Sequence, residues 1–393
     1  MSVELSQYAQ HMPLEKGQIR LLTLRQGSNQ DDLIECELSS CELNSAPAYE
    51  ALSYYWGTTE SDRVISLHGS QFRVRDDLYK ALQHLRHGQT SRVLWIDWIC
   101  IDQRNQAEIY EQISQLGEIC AKAETVVVYL GEATDATDQA MDYLMQIQEG
   151  ETSQISPGIM DNVVLEGCQD ILSRPWFQRA WILQDAFYAR AAVLHCGSKA
   201  VLSKTMIYIS KSISDKIDPL SQHVLNLMPG SRGDDEAASK IPLYDLLQRF
   251  RFSKATDQRD KIYALLGIVG FEPPKSIILP DYSMSQKDLM RAVLAHLCFC
   301  EPSSVPEPPY ETIDEFLANL DPIDNDILKK MFETSRDIDL VSLLRHGSHY
   351  ISIDRSLVEA AGRNKTKGDE MAKILRAAID SKRSAVPTSP EVS

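Results

Sequence analysis

Residues 92–130, RVLWIDWICIDQRNQAEIYEQISQLGEICAKAETVVVYL, decide how the first half of the chain folds. Arg92 to Ile101 is a mostly apolar run of strand length, rich in β-branched and aromatic residues, as expected of a central strand covered on both faces. Asn105 with Glu108 three residues later forms a capping-box pattern. Ile109, Ile113, Leu116, Ile119, Cys120 and Ala123 then recur at helical spacing, so one helix is expected to run to about Lys122. Thr125 to Leu130 is a second buried strand, closed by Gly131, and a further helix is expected from about Asp138 to Gln148. Strand, helix, strand, helix in this order implies parallel pairing through crossovers, hence an open α/β sheet.

Upstream, Tyr49 to Tyr55 is a strand, and Val64–Leu67 and Gln71–Val74 flank Gly69-Ser70 as a hairpin. Asp76 or Asp77 caps a short helix with Leu78, Ala81, Leu82 and Leu85 on one face. Downstream, Ser173 is expected to cap a helix with Pro175 in its first turn, running through RPWFQRAWILQDAFY into the apolar run Ala191 to Cys196. All five tryptophans lie between positions 56 and 181, which marks the first half as the main domain. Pro229 to Ser239 is a polar linker. Beyond it Leu243–Phe250, Lys261–Val269 and Leu289–Phe299 are helical, and Pro280-Asp281-Tyr282 is a turn. The expected organisation is an N-terminal extension over 1–44, the main domain over 45–228, a helical appendage over 240–300, and a weakly structured helical region with a disordered tail over 301–393. The fold class is α/β, an open, mostly parallel sheet flanked by helices, with a helical C-terminal appendage.

With 56 Asp plus Glu against 40 Lys plus Arg, the formal net charge of −16 argues against a broad nucleic-acid surface, which needs a basic stripe. The start MSVELSQYAQHMPLEKG lacks a signal-peptide pattern and no run of about 18 or more apolar residues occurs, so no membrane span and a cytoplasmic setting are expected. The eight cysteines are scattered without a C-x-x-C pair, which favours buried reduced thiols. His84 and His87 are three apart without a third ligand and read as solvated surface, so no metal is expected. G-x-G-x-x-G, Walker A, H-E-x-x-H and G-x-S-x-G patterns do not occur, which removes the usual support for dinucleotide oxidoreductases, P-loop NTPases, zincins and α/β-hydrolases.

Four ordered blocks remain: YEALSYYWG at 49–57, LWIDWICIDQ with its helix and VVVYLG, RPWFQRAWILQD, and ATDQRDKIYALLG at 255–267. Together they resemble the fungal heterokaryon-incompatibility (HET) domain, whose pattern runs Y-x-A-L-S-Y-x-W-G, then L-W-I-D-x-I-C-I-N-Q, then V-x-W-L-G, then R-x-W-F-x-R-x-W-V-x-Q-E. The resemblance covers roughly residues 45 to 200, and the companion block carries it to about 285. It implies a role in non-self recognition and programmed cell death, with self-association and a non-self recognition partner protein. HET domains are similar to TIR domains, flavodoxin-like modules, some of which cleave NAD at the nicotinamide N-glycosidic bond using one glutamate. NAD enters here as a substrate, and no cofactor is implied.

In both patterns a Glu stands where this chain has Asp185, and the other departures are Asp102 for Asn and Gln258 for Pro. Asp keeps the charge that an oxocarbenium-like transition state needs, with one methylene less of reach. A displacement of about 1 Å can cost around a hundredfold in rate. Two readings therefore stand: an NAD glycohydrolase using Asp185, or a non-catalytic self-assembling scaffold. Ser53, Tyr54, Trp56, Asp97 and Asp102 fall at strand ends where a nucleotide could sit, or alternatively pack the sheet rim and form turns. Glu108 is the second candidate carboxylate, with the capping box as its bland reading, and Gln112 and Gln115 lie on the polar flank of its helix, solvated or at an interface. On the helix of Asp185, Arg179 pairs with phosphate or with an acidic neighbour, Trp181 reads as core, and Gln184 completes the nucleotide-binding set. Arg259 and Asp260 are expected to hold the appendage against the main domain.

Overall fold

Nine strands join in one sheet: β1 (Gln18–Leu24), β2 (Glu35–Glu42), β3 (Glu50–Tyr54), β4 (Arg63–Leu67), β5 (Ser70–Val74), β6 (Arg92–Trp95), β7 (Thr125–Tyr129), β8 (Ala192–Cys196) and β9 (Lys199–Leu202). The computed structural model describes residues 11–27, 32–57, 63–150, 161–231, 241–269, 278–320, 322–334, 338–347 and 350–384. The spatial order is β5-β4-β2-β1-β6-β3-β7-β8-β9. The sheet is mixed, not mostly parallel: β2·β4, β3·β6, β3·β7 and β7·β8 are parallel, while β1·β2, β1·β6, β4·β5 and β8·β9 are antiparallel. Continuous apolar runs do mark the parallel centre, since residues 51–54 of β3 and 126–129 of β7 are all buried. The antiparallel additions come from segments with weaker patterns, such as ECELSSCE, where only Cys36 is buried.

Two of those strands, β1 and β2, lie inside the stretch expected to be an N-terminal extension, and β1 pairs directly with β6. A buried ion pair fastens this edge. Arg20 of β1 donates to Glu108 at 2.5 and 3.1 Å, and also to the carbonyl of Cys100 at 2.9 Å. The two side chains are only 3% and 7% exposed, so each charge depends on the other for solvation.

Among the described residues, the helices of the first half are α1 (Asp76–Leu85), α2 (Asp97–Cys100), α3 (Gln106–Ser114), α4 (Leu116–Lys122), α5 (Asp135–Glu149), α6 (Asn162–Ser173), α7 (Ile182–Tyr188), α8 (Ser203–Ser212) and α9 (Pro219–Leu225). The hairpin β4–β5 and the apolar face of α1 fall where the pattern puts them, with Leu78, Ala81, Leu82 and Leu85 buried, although Arg75 rather than an aspartate occupies the cap position. The run 92–101 divides: β6 ends at Trp95 and α2 starts at Asp97, because the Asp97 carboxylate accepts the Trp98 N–H at 2.7 Å and turns the chain. The helix expected from Asn105 to Lys122 divides at Gln115 into α3 and α4. Ser173 ends α6 instead of capping a helix; Pro175–Gln178 is a short 3-10 turn, and α7 begins only at Ile182. Gly167 lets α6 approach α5, since an added Cβ would collide with the Ala136 carbonyl. All eight cysteines are free, and Cys41 alone is more than marginally exposed.

The chain divides into two units after Ser239, within the expected linker, whose residues 232–239 lie outside the described ones. The second unit contains α10 (Leu243–Phe250), α11 (Asp260–Leu266), α12 (Gln286–Leu297), α13 (Ile313–Ala318), α14 (Asn325–Thr334), α15 (Leu340–His346), α16 (Arg355–Gly362) and α17 (Gly368–Ser384). Among the described residues beyond 301, α13 to α16 carry buried apolar side chains, such as Phe316, Phe332, Leu343 and Leu357. The end of the expected tail, 385–393, lies outside the described residues. Arg259 binds Asp257 at 2.6 Å and the carbonyls of Tyr282 and Met284, and so organises a turn within this unit. Among the described residues no helix is long and apolar enough to cross a membrane.

Removing one partner of a buried pair leaves an unsolvated charge, a loss of about 3–5 kcal/mol. Glu108→Ala is therefore expected to lower unfolding free energy by about 3 kcal/mol or more in urea titrations, and Arg20→Met with Glu108→Leu to recover most of it. A single variant within about 0.5 kcal/mol of the parent would show that the pair does not fasten this edge.

Candidate functional site

The four strands β6-β3-β7-β8 run parallel, and the chain passes from β3 to β6 on one side and then across to β7 on the other. Strand order thus reverses at β3, and a crevice at such a point opens beyond the carboxyl ends of the strands. Tyr54, Tyr55, Trp56 and Gly57 leave β3 there, and Asp97 follows β6 on the adjoining side. Gly57 sits at φ +71°, and an added Cβ would collide with the Asp77 carboxylate, so the turn after β3 requires glycine.

Successive side chains of a strand point to opposite faces. Ser53 faces α7 and Tyr54 does not. Ser53 Oγ donates to Asp185 Oδ2 at 2.5 Å and accepts from Trp176 Nε1 at 2.9 Å. Ser53 and Trp176 are buried, whereas Asp185 is half-buried. Asp185 Oδ1 is 3.7 Å from the Cys120 thiol of α4. Burial pushes the Asp185 carboxyl above the usual carboxylate range, opposed by the Ser53 hydrogen bond and by the nearby Arg179 charge.

A second carboxylate belongs to the same neighbourhood. Asp97 Oδ2 accepts from Trp56 Nε1 at 3.0 Å. Burial pushes its carboxyl up to about 6, Arg179 pulls it down, and Asp185 adds to the rise. Arg179 donates to the Tyr54 carbonyl, and its guanidinium lies 5.4 Å from the centre of the Trp56 ring. Trp98 meets Trp56 edge to face at 5.2 Å, and Arg75 lies 4.9 Å over Trp98. Asp97, Trp56, Arg179, Ser53 and Asp185 therefore form one connected constellation.

The other residues singled out from sequence take different places. Tyr54 is buried on the opposite face and offers the constellation its carbonyl. Asp102 is a turn former that accepts from the Arg104 backbone and guanidinium, and its own N–H donates to Glu108 at 2.7 Å. Glu108 receives the Arg20 fork and that N–H, while its own N–H donates to Asn105 Oδ1 at 3.3 Å, which is half of a capping box. These partners are distinct from those of Asp185. Gln112 is buried, not solvated, and donates to the Gln18 carbonyl at 2.8 Å. Trp181 is half-buried at the start of α7, and Gln184 is buried one residue before Asp185. His84 is half-buried, not solvated, at 3.2 Å from Glu132. Among the described residues no three His, Cys, Asp or Glu side chains are grouped to hold a metal ion.

Sequence reasoning did not single out Arg75, Trp98, Cys120 and Trp176 as members of the site. Trp98 and Trp176 stand inside the blocks WIDW and RPWF, whose density of rings was the available signal. Arg75 closes a hairpin and carries no local signature.

Residues 49–185 match the family model for heterokaryon incompatibility protein (HET). The match begins at the residue before β3 and ends at Asp185, so it spans every group of the constellation. Heterokaryon incompatibility protein 6, OR allele, of Neurospora crassa is 25% identical over 336 residues, covering 68% of this chain and 49% of that protein. The chain thus spans about half the length of that relative. Both comparisons support the HET family. No solved structure matches.

The raised Asp97 acidity has a measurable consequence for stability. A folded-state value near 6, against 3.8 ordinarily, means the folded protein holds this proton more tightly, so the stability it supplies is full at about pH 4 and is lost as pH rises through 6. From pH 4 to pH 8, Asp97→Asn is expected to gain roughly 2–3 kcal/mol relative to wild type, whatever its constant offset. Parallel stability–pH curves from denaturant titrations would refute the perturbed site.

Proposed function

We propose that this chain acts in heterokaryon incompatibility as a cytoplasmic self-associating signalling module with a non-self recognition partner, and that its crevice hydrolyses NAD at the nicotinamide N-glycosidic bond. The HET match and the Neurospora crassa relative support the first part. The order of the parallel strands, second-first-third-fourth along the chain, is the flavodoxin-like order and supports the TIR-like comparison.

The observation that carries the hydrolysis reading is the placement of Asp185, hydrogen-bonded at 2.5 Å to Ser53 beside the point where strand order reverses. As the bond from ribose to nicotinamide lengthens, positive charge passes from the ring to the sugar. Nicotinamide then leaves as a neutral molecule and needs no general acid. One ionised carboxylate beside the sugar lowers this barrier electrostatically, more so where water is thinned. The same hydrogen bond also favours a second reading, in which Asp185 only seats α7 on β3 and the domain signals by assembly alone.

Nicotinamide release from NAD by wild type, Asp185→Ala and Asp185→Glu separates the two. The hydrolysis reading expects a wild-type rate above background that disappears with Ala, a loss of about a hundredfold or more, and rises with Glu, whose extra methylene restores reach. Flat traces from all three at concentrations where the protein self-associates would leave the assembly reading.

A further inference from the structure

Two guanidinium groups are anchored on the turn that leaves the carboxyl end of β3. Arg179 donates to the Tyr54 carbonyl, and Arg75 donates to the carbonyls of Gly57 at 2.9 Å and Trp56 at 3.4 Å. Each lies over an indole, Arg179 over Trp56 and Arg75 over Trp98, and the two rings touch. Neither forms an ion pair within salt-bridge distance among the described residues. Two other stacked arginines are ion-paired, Arg63, over Tyr79, with Asp76 at 3.0 Å and Arg259, over Tyr282, with Asp257 at 2.6 Å, whereas Arg251, over Phe252, donates to Gln248. In a chain of net charge −16, these two guanidinium groups are anchored by the same turn outside any ion pair, with Asp97 and Asp185 in the field of Arg179 and Asp77 in that of Arg75.

We infer that Arg75 and Arg179 form a diphosphate-binding end of the crevice, so that its ligand class is a nucleoside diphosphate or a dinucleotide bridged by one. This builds on the reading of the crevice as a nucleotide site and adds residues and a ligand class to it. A guanidinium presents paired donors to phosphate oxygens and is weakly hydrated, and the ring beneath it holds its plane without consuming the donors that face away. The backbone carbonyls fix one side of each group, with no carboxylate hydrogen-bonded to the donors that face away. The same constellation holds the carboxylates of Asp185 and Asp97. An oxidised nicotinamide dinucleotide carries both kinds of charge, an anionic diphosphate at its middle and a cationic ring at one end. Arg75 comes from the residue before α1 and Arg179 from the loop before α7, so the ligand would bridge two segments that are far apart in sequence.

The indoles supply the readout. Quenching of tryptophan fluorescence in the full chain, titrated with ADP, AMP and nicotinamide mononucleotide, is expected to show ADP binding at least about tenfold tighter than either monophosphate, weakening with added salt. Arg75→Gln and Arg179→Lys are each expected to weaken ADP binding by about tenfold while changing AMP binding little, because each removes one charge-assisted fork. Arg63→Gln should leave all three unchanged. Arg179→Lys keeps the charge and guards against misfolding, which thermal melts of every variant would reveal. Equal affinities for ADP and AMP, no ADP binding, or an Arg75→Gln variant that binds ADP like wild type would overturn the inference. Nicotinamide release is scored separately. ADP binding that needs both arginines without any cleavage leaves the inference standing and removes the hydrolysis reading. Cleavage with an Arg75→Gln KM equal to wild type does the reverse.

Discussion

The hydrogen bond from Ser53 to Asp185 is the constraint on which the rest of the site depends. It joins the middle strand of the parallel group to α7, across 132 residues of sequence, and Trp176 fixes the hydroxyl from the other side. The direction is set by chemistry. Trp Nε1 only donates, so Ser53 must accept from it and send its single proton to the carboxylate. A half-buried Asp without such a donor would be an uncompensated charge. Because Ser53 meets the carboxylate directly, a side chain one methylene shorter than the family's Glu still reaches the sheet. A longer acid at this position would extend past Ser53 toward the crevice, which is where the two functional readings part.

A second fastening lies at the opposite edge of the parallel group. There β1 runs antiparallel to β6, and Arg20 anchors Glu108 and with it the turn at Asp102. Glu108 shows why a motif is an incomplete guide. Its place three residues after Asn105 did mark a helix start, but its carboxylate turned inward to a cation supplied from 88 residues away, which no local pattern contains. Gln112, one turn later, follows it into the interior for the same reason, since a backbone carbonyl of the N-terminal segment waits there. Strands β3 and β7 were legible because they are buried on both faces and so read as unbroken apolar runs. Strands β2 and β9 were not, because half-covered or edge strands carry polar residues that resemble loops, and in β1 the apolar run is broken by Arg20, whose partner lies far away in sequence. Asp97 illustrates the limit of a run of apolar residues: a single carboxylate in WIDWICI marks the place where strand gives way to helix, and it accepts the N–H of the next residue. In the site, the strand-end residues Ser53, Trp56 and Asp97 and the helix residue Asp185 could be assigned from blocks, while Arg75 became visible only through the distance between its guanidinium and Trp98.

Electrostatics give the constellation its character. Two carboxyls with raised pKa and a guanidinium between them describe a site that destabilises its own fold near neutral pH, because desolvation is only partly repaid by Arg179. Two other carboxylates avoid such a cost. Asp76 lies under Lys80 and Arg63, and Asp257 under Arg259, and both are held below the usual range by those hydrogen bonds. Perturbed acids gather where a fold serves something other than its own stability.

The mixed sheet also explains where a ligand would sit. Parallel strands generate a crevice at their carboxyl ends, but an exposed parallel edge invites further pairing. Here β1 closes the β6 edge and β9 closes the β8 edge, both antiparallel, β9 through a tight turn and β1 from a segment distant in sequence. The hairpin β8–β9 needs Gly197 at φ +56° to turn back at once. These additions take the flanks out of play and leave the reversal at β3 as the open feature of the parallel group. The residues that emerge there are dictated by geometry: a serine must face α7, the next side chain must be buried on the far face, and a glycine must follow the tryptophan to clear Asp77. The sequence YEALSYYWG meets each of these demands in order, so the block reads as the rim of a site as much as a strand of the core.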